Sequence, residues 1–119
     1  MSSPVALNMD MLRQALEQRR AEQLISLYAD DAQIQVIDKN HQPSSPLILR
    51  GKPAIAEFLT GMSSRDMIHQ ISDEVVGIDR ISYTEACQYA SGERVLSASV
   101  MDLRNGKITR HVMIQAWDE

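Results

Sequence analysis

Residues 94–117 read RVLSASVMDLRNGKITRHVMIQAW, and this stretch decides the fold. At its centre stands Asn105-Gly106. A two-residue type I′ hairpin turn needs positive φ at both central positions, and Asn-Gly is a dipeptide that tolerates this well. The flanking runs, Arg94–Leu103 and Lys107–Trp117, are rich in β-branched residues and bounded by turn residues. Together they predict a long antiparallel hairpin.

Two further turn signals lie upstream, Ser91-Gly92 and Asp79-Arg80. They divide the preceding chain into Met67–Ile78 and Ile81–Ala90, which completes a four-strand antiparallel meander. Strands of ten or more residues exceed the usual five or six, so this sheet must twist and curl strongly.

Before Arg65 the periodicity differs. Leu7, Met11, Leu12, Ala15 and Leu16 recur at helical spacing, with Asn8 or Asp10 available as the N-cap. A second short helix is predicted on the stripe Ala21, Leu24, Ile25 and Tyr28, ending at Asp30-Asp31, whose side chains suit a cap or turn. From Ala32 the period becomes two, giving a strand through Asp38. The polar segment 38–46 with its two prolines is a loop, and Leu47–Leu49 is a short extended piece. A third helix opens at Pro53 and carries Ile55, Phe58, Leu59 and Met62 on one face.

Helices first and strands later is an α+β plan: three N-terminal helices packed on a strongly curved antiparallel sheet. Such a sheet, closed on one side by helices, encloses a conical hollow, the natural place for a ligand. At 119 residues the chain is expected to be a single domain, 1–119.

Composition removes several function classes. Sixteen acidic against twelve basic residues give a net charge of −4, which argues against a nucleic-acid partner. No apolar run approaches the ~18 residues of a membrane span, and the N-terminus lacks the pattern of a secretory signal, so a cytoplasmic protein is expected. One cysteine, Cys87, forms no intrachain bridge. The three histidines, His41, His69 and His111, show no metal-binding spacing and there is no glycine-rich phosphate loop, so neither metal nor other cofactor is expected.

The order helix, helix, Tyr28-Ala29-Asp30-Asp31-Ala32, strand, then Arg50-Gly51-Lys52-Pro53-Ala54-Ile55 opening a third helix, resembles the nuclear transport factor 2-like superfamily. The closing hairpin Leu103–Ile108 and Gln115-Ala116-Trp117 are similar to its SnoaL-like and ketosteroid isomerase-like branch. The resemblance implies a cone-shaped domain with a small-molecule cavity. In that branch, isomerisation uses an aspartate base with a tyrosine and a protonated aspartate. By alignment on Tyr28–Ala32 the tyrosine falls on Leu12 and the base on Val36, while the second carboxyl falls near Ala98 or Ser99. None carries the required group, so steroid isomerisation by that route is not expected.

The remaining candidates come from the strands. Thr109, His111, Met113, Gln115 and Trp117 share one face, which the resemblance turns toward the cavity. His111, with His69 from the first meander strand, is a candidate acid–base pair, and Asp38 at the cavity mouth is a third candidate. Leu12, Val36, Phe58, Met113 and Trp117 are the expected apolar lining. Glu85 shares a face with Tyr83, Cys87 and Tyr89; buried there it would be a candidate acid, but the favoured reading is a solvated face or a pair with Arg94, because glutamate is rarely buried unless paired. Cys87 reads as an inert thiol. Leu96, Ala98 and Val100 form an apolar strand face suited to a homodimer, the pairing that the resemblance also implies.

Two functions fit. One is a cofactor-independent enzyme acting on a small, mostly apolar molecule by proton transfer, as an isomerase, cyclase or dehydratase. The other is a non-catalytic domain that binds a ligand or a protein. The residues lining the hollow discriminate them: an enzyme needs convergent titratable groups there.

Overall fold

The Asn105-Gly106 turn forms with φ of 53° and 75°, and the strands on either side pair Arg104 with Lys107 and Leu103 with Ile108. The computed structural model describes residues 7–118. In chain order the elements are α1 (Met9–Glu17), α2 (Ala21–Ser26), β1 (Tyr28–Ile37), β2 (Leu47–Arg50), α3 (Lys52–Ser64), β3 (Met67–Val76), β4 (Arg80–Tyr89), β5 (Arg94–Arg104) and β6 (Lys107–Trp117). The class is α+β, with three helices and one curved, open sheet of order β2-β1-β6-β5-β4-β3.

Strands β3 to β6 are the expected antiparallel meander. The sheet is not antiparallel throughout, because β1 runs parallel to β6. That follows from the chain path: β1 is reached before the meander, and β2 with α3 carries the chain across to the opposite edge at β3. A strand that is not joined to its neighbour by a hairpin is free to lie parallel.

The second helix is shorter than its stripe suggested. It ends at Ser26, and Tyr28 opens β1 instead of closing α2. Asp30 and Asp31 are exposed strand residues, not caps, and lie where the β1–β6 register shifts. The Tyr28 side chain is buried all the same, because a strand start and a helix end here both face the core.

Alternation divides the sheet into two faces. The concave face carries Ile71, Ile81, Tyr83, Met101, Ile108 and Met113, all buried. Asn8 caps α1 by accepting from the Asp10 amide at 2.8 Å. Leu12, Ala15 and Leu16 of α1 and Ile55 and Leu59 of α3 close this face into one core. Each fully buried Leu or Ile contributes roughly 2 kcal/mol by transfer from water. The convex face keeps Ile68, Leu96, Val100 and Ile114 exposed.

One irregularity sets the site. Within β3 the register to β4 shifts between Ser72 and Val75, and Asp73 takes a positive φ of 57°. This is a β-bulge, held by Thr84 Oγ1 donating to Asp73 Oδ2 at 2.6 Å. Beyond it His69 stands opposite Cys87, and Ile71 opposite Glu85. No helix among the described residues is long and apolar enough to cross a membrane.

Candidate functional site

Between the concave face, α3 and the turn at residues 38–41 lies a hollow of about 390 Å³. Val36, Phe58, Met113 and Trp117 line it, and Asp38 with His41 stands at its rim. Leu12 does not line it. That side chain is fully buried in the core between helix and sheet, on the side of α1 that it shares with Ala15 and Leu16.

Three chemically active side chains reach the wall from two neighbouring strands: His69 from β3, Glu85 and Cys87 from β4. His69 Nδ1 lies 2.8 Å from Glu85 Oε2, and both side chains are at most 5% exposed. A carboxylate oxygen accepts, so Nδ1–H donates to it, and Nε2 is the ring nitrogen left for a further partner. Nε2 takes no protein partner among the described residues, yet it is not sealed away. The fully buried side-chain nitrogen or oxygen left without a partner there is Arg13 Nε. His69 thus reaches the wall of the hollow with its ring fixed from behind by a carboxylate and Nε2 bound to no other group among the described residues.

Glu85 corrects the sequence reading. It is neither in solvent nor paired with Arg94, but 2% exposed and bonded to His69. The reason is the bulge, which turns the row Tyr83, Glu85, Cys87 to the same face as His69. Without it, the register that Val76–Ile81 and Val75–Ser82 set would carry on and place His69 opposite Gln88, with Glu85 on the other side. A register offset is the one signal that would have revealed the pair, and Asp73 gives no warning of it.

Cys87 Sγ lies 3.3 Å from the same Nδ1. Burial, and then the neighbouring Glu85 carboxylate, push its thiol up to about 12. The thiol stays protonated at neutral pH, which makes it a poor nucleophile.

His111 is placed differently. Its Nδ1 meets the Tyr28 hydroxyl at 2.8 Å and its Nε2 meets Ser99 Oγ at 2.9 Å. The ring stacks on Tyr28 with centroids 6.2 Å apart. Burial holds its pKa down to about 4, so it is neutral under ordinary conditions. His111 faces the concave side but does not reach the hollow's wall. The two imidazoles are thus not brought into one pocket, and the partner found beside His69 is a carboxylate.

Asp38 Oδ1 accepts from His41 Nδ1 and from the Asn40 amide, both at 2.9 Å. Burial raises its carboxyl, but the bonds from His41 and Asn40 outweigh that and hold it below the usual carboxylate range. It is engaged in clamping the turn at the mouth. Trp117 also stands at this end, stacked on Tyr89 at 6.1 Å with Lys39 Nζ 4.5 Å from its ring. Of the places where the isomerase groups would fall, Val36 lines the hollow, Ser99 is bound to His111 and Ala98 lies on the convex face.

No functionally curated protein matches the chain. Solved structures match it over most of its length at low identity. A nuclear transport factor 2-like protein of unknown function from Mesorhizobium loti is 14% identical, with a TM-score of 0.79 over 94% of this chain and 99% of that one. A similar protein of unknown function from Burkholderia xenovorans is 16% identical, with a TM-score of 0.75 over 93% and 80%. A de novo designed protein with a curved β-sheet is 12% identical, with a TM-score of 0.70 over 91% and 84%. These likenesses speak to the fold alone, and the designed neighbour shows that the cone can be built without any inherited activity. A model of the SnoaL-like domain matches residues 10–111. With helices, cone and hollow in the arrangement described, the protein belongs to the SnoaL-like domain family.

Proposed function

We propose that the protein is a proton-transfer enzyme acting on a small, mostly apolar molecule held in the hollow, with isomerase-, cyclase- or dehydratase-type chemistry. The observation that carries this reading is the buried His69–Glu85 pair with Nε2 free on the wall. Nε2 takes a proton from an acidic C–H or O–H of the ligand, and Glu85 stabilises the imidazolium that forms. The same nitrogen returns the proton to another atom of the ligand. Phe58, Met113 and Trp117 supply the apolar contacts, and water exclusion strengthens the charge interactions inside. Asp38 shapes the mouth through His41, and His111 supports the wall from behind without touching the ligand.

The test is proton exchange. A panel of small apolar ketones, enones and epoxides is incubated with the protein in D2O and followed by NMR. Exchange faster than in buffer, abolished in His69→Gln, supports the reading. Binding without exchange, unaffected by His69→Gln, would move the protein to the class of non-catalytic binding domains.

We also propose that two copies pair through the convex face, where Leu96, Val100 and Ile114 are exposed as neighbours on β5 and β6 and Ile68 is exposed on the same face two strands away. Exposed apolar patches of this kind mark association surfaces. Sedimentation of a monomer-mass species at high micromolar concentration would remove this proposal.

A further inference from the structure

The histidines do not cluster, but a histidine, a glutamate and a cysteine do. One nitrogen, one oxygen and one sulfur from His69, Glu85 and Cys87 all lie within 4.8 Å of one another, and all three residues are buried. We propose that these three side chains form a binding site for a zinc-class divalent ion, with the fourth coordination position open to the hollow. The proposal goes beyond the proton-transfer reading and does not rest on it.

The donor set selects the ion. A thiolate, an imidazole and a carboxylate suit zinc and its cobalt substitute, whereas magnesium and calcium prefer oxygen alone. The spacing is close to what the ion needs. In a tetrahedral site with Zn–N near 2.0 Å and Zn–S near 2.3 Å, nitrogen and sulfur stand roughly 3.5 Å apart; Nδ1 and Sγ are at 3.3 Å here. Nδ1 and Oε2, at 2.8 Å, are at hydrogen-bond distance. They must open by about half an ångström when an ion at zinc–ligand distance replaces the shared proton.

Charge closes the argument. A carboxylate and a thiolate together neutralise a divalent ion, so the loaded site adds no net charge to a buried place. Binding releases the Cys87 thiol proton to solvent, and the imidazole proton moves from Nδ1 to Nε2, so that the Nδ1 lone pair faces the metal. The ladder fixes the ligands in advance, since His69 and Cys87 are direct cross-strand neighbours and Glu85 is two residues along the same strand. The three residues line the hollow, which gives the ion a path in and leaves a place for water or a polar atom of a ligand. An ion on Nδ1 displaces Glu85 from its role behind the imidazole. The metal-free and metal-loaded proteins are then two states with different chemistry at one wall.

The experiment uses the full chain, stripped with chelator and titrated with CoCl2 and then ZnCl2. The expected result is one cobalt per chain with a thiolate-to-cobalt charge-transfer band, displaced by zinc. Cys87→Ser loses the band, and Cys87→Ser and Glu85→Gln each weaken zinc binding by at least about tenfold. Zinc also slows alkylation of the lone cysteine in the parent protein, a readout that needs no variant to fold. Cobalt binding without the band, zinc binding unchanged in Cys87→Ser, or alkylation at the same rate with and without zinc would each overturn the proposal.

Discussion

His69 and His111 sit on the same concave face, and both are nearly inaccessible, at 7% and 2% exposure. Their surroundings differ in kind. His111 has both ring nitrogens spent on hydroxyls, those of Tyr28 and Ser99. His69 has one nitrogen on a carboxylate and the other on the wall of a hollow. Burial alone therefore does not separate a structural histidine from a chemical one. The separation comes from a free nitrogen with room in front of it and an ionisable group behind it.

The comparison breaks most sharply at His69. Replacing it with Gln is expected to reduce catalysed proton exchange by about 10²- to 10⁴-fold, the usual worth of a positioned general base. Circular dichroism should show the fold intact. Exchange within threefold of the parent would remove His69 from the reaction.

His111 should reveal itself through stability instead. Its folded pKa is about 4, against about 6.5 for an unperturbed histidine. The unfolded chain takes up a proton below pH ~6.5 that the folded chain refuses, so stability falls as pH drops from there to about 4. The loss amounts to roughly 3 kcal/mol. Urea unfolding at pH 7.5, 5.5 and 4.5 measures it, and His111→Gln should flatten this part of the slope. Equal slopes in parent and variant would mean that His111 is not the buried neutral group described.

Glu85→Gln sharpens the comparison from the carboxylate side. It keeps a hydrogen-bond acceptor for Nδ1 but removes the charge, so proton exchange should fall by about 10- to 100-fold while ligand affinity stays within about twofold. A loss of affinity equal to the loss of rate would place Glu85 in binding rather than in orientation. Trp117→Ala should do the reverse. Loss of an aromatic contact worth about 1 kcal/mol weakens ligand binding by about fivefold with little change in the rate at saturation. The smallest effect is expected for Asp38→Asn. Its bond to His41 lies at the rim, where the imidazole is about one-third exposed, and pairs open to solvent are worth about 0–1 kcal/mol. A change above about fivefold in exchange rate would return Asp38 to the list of reacting groups.

Much of the fold could be read without coordinates. Asn105-Gly106 announces its own turn, and the β-branched runs on either side leave no helical alternative. Phe58 in the helical stripe of α3, and Met113 and Trp117 in the alternation of β6, were legible as lining by periodicity and family likeness. Tyr28 was not, because one apolar residue at the boundary between α2 and β1 satisfies both periods. The antiparallel reading of the sheet missed one junction, since nothing local in β1 states which strand it will lie beside. Family likeness points Leu12 into the hollow, whereas the packing of α1 buries it in the core.

The site divides along the same line. Local sequence determined that His69 alternates with Met67 and Ile71 on one strand face, and that Glu85 shares a face with Cys87 on the next, since side-chain alternation is a property of each strand alone. Only the tertiary structure decided that the two faces are the same one. That decision belongs to the bulge at Asp73, which shifts one strand past its neighbour. A shift of one residue moves every side chain to the opposite face, and pairing register is a relation between strands that neither strand encodes by itself.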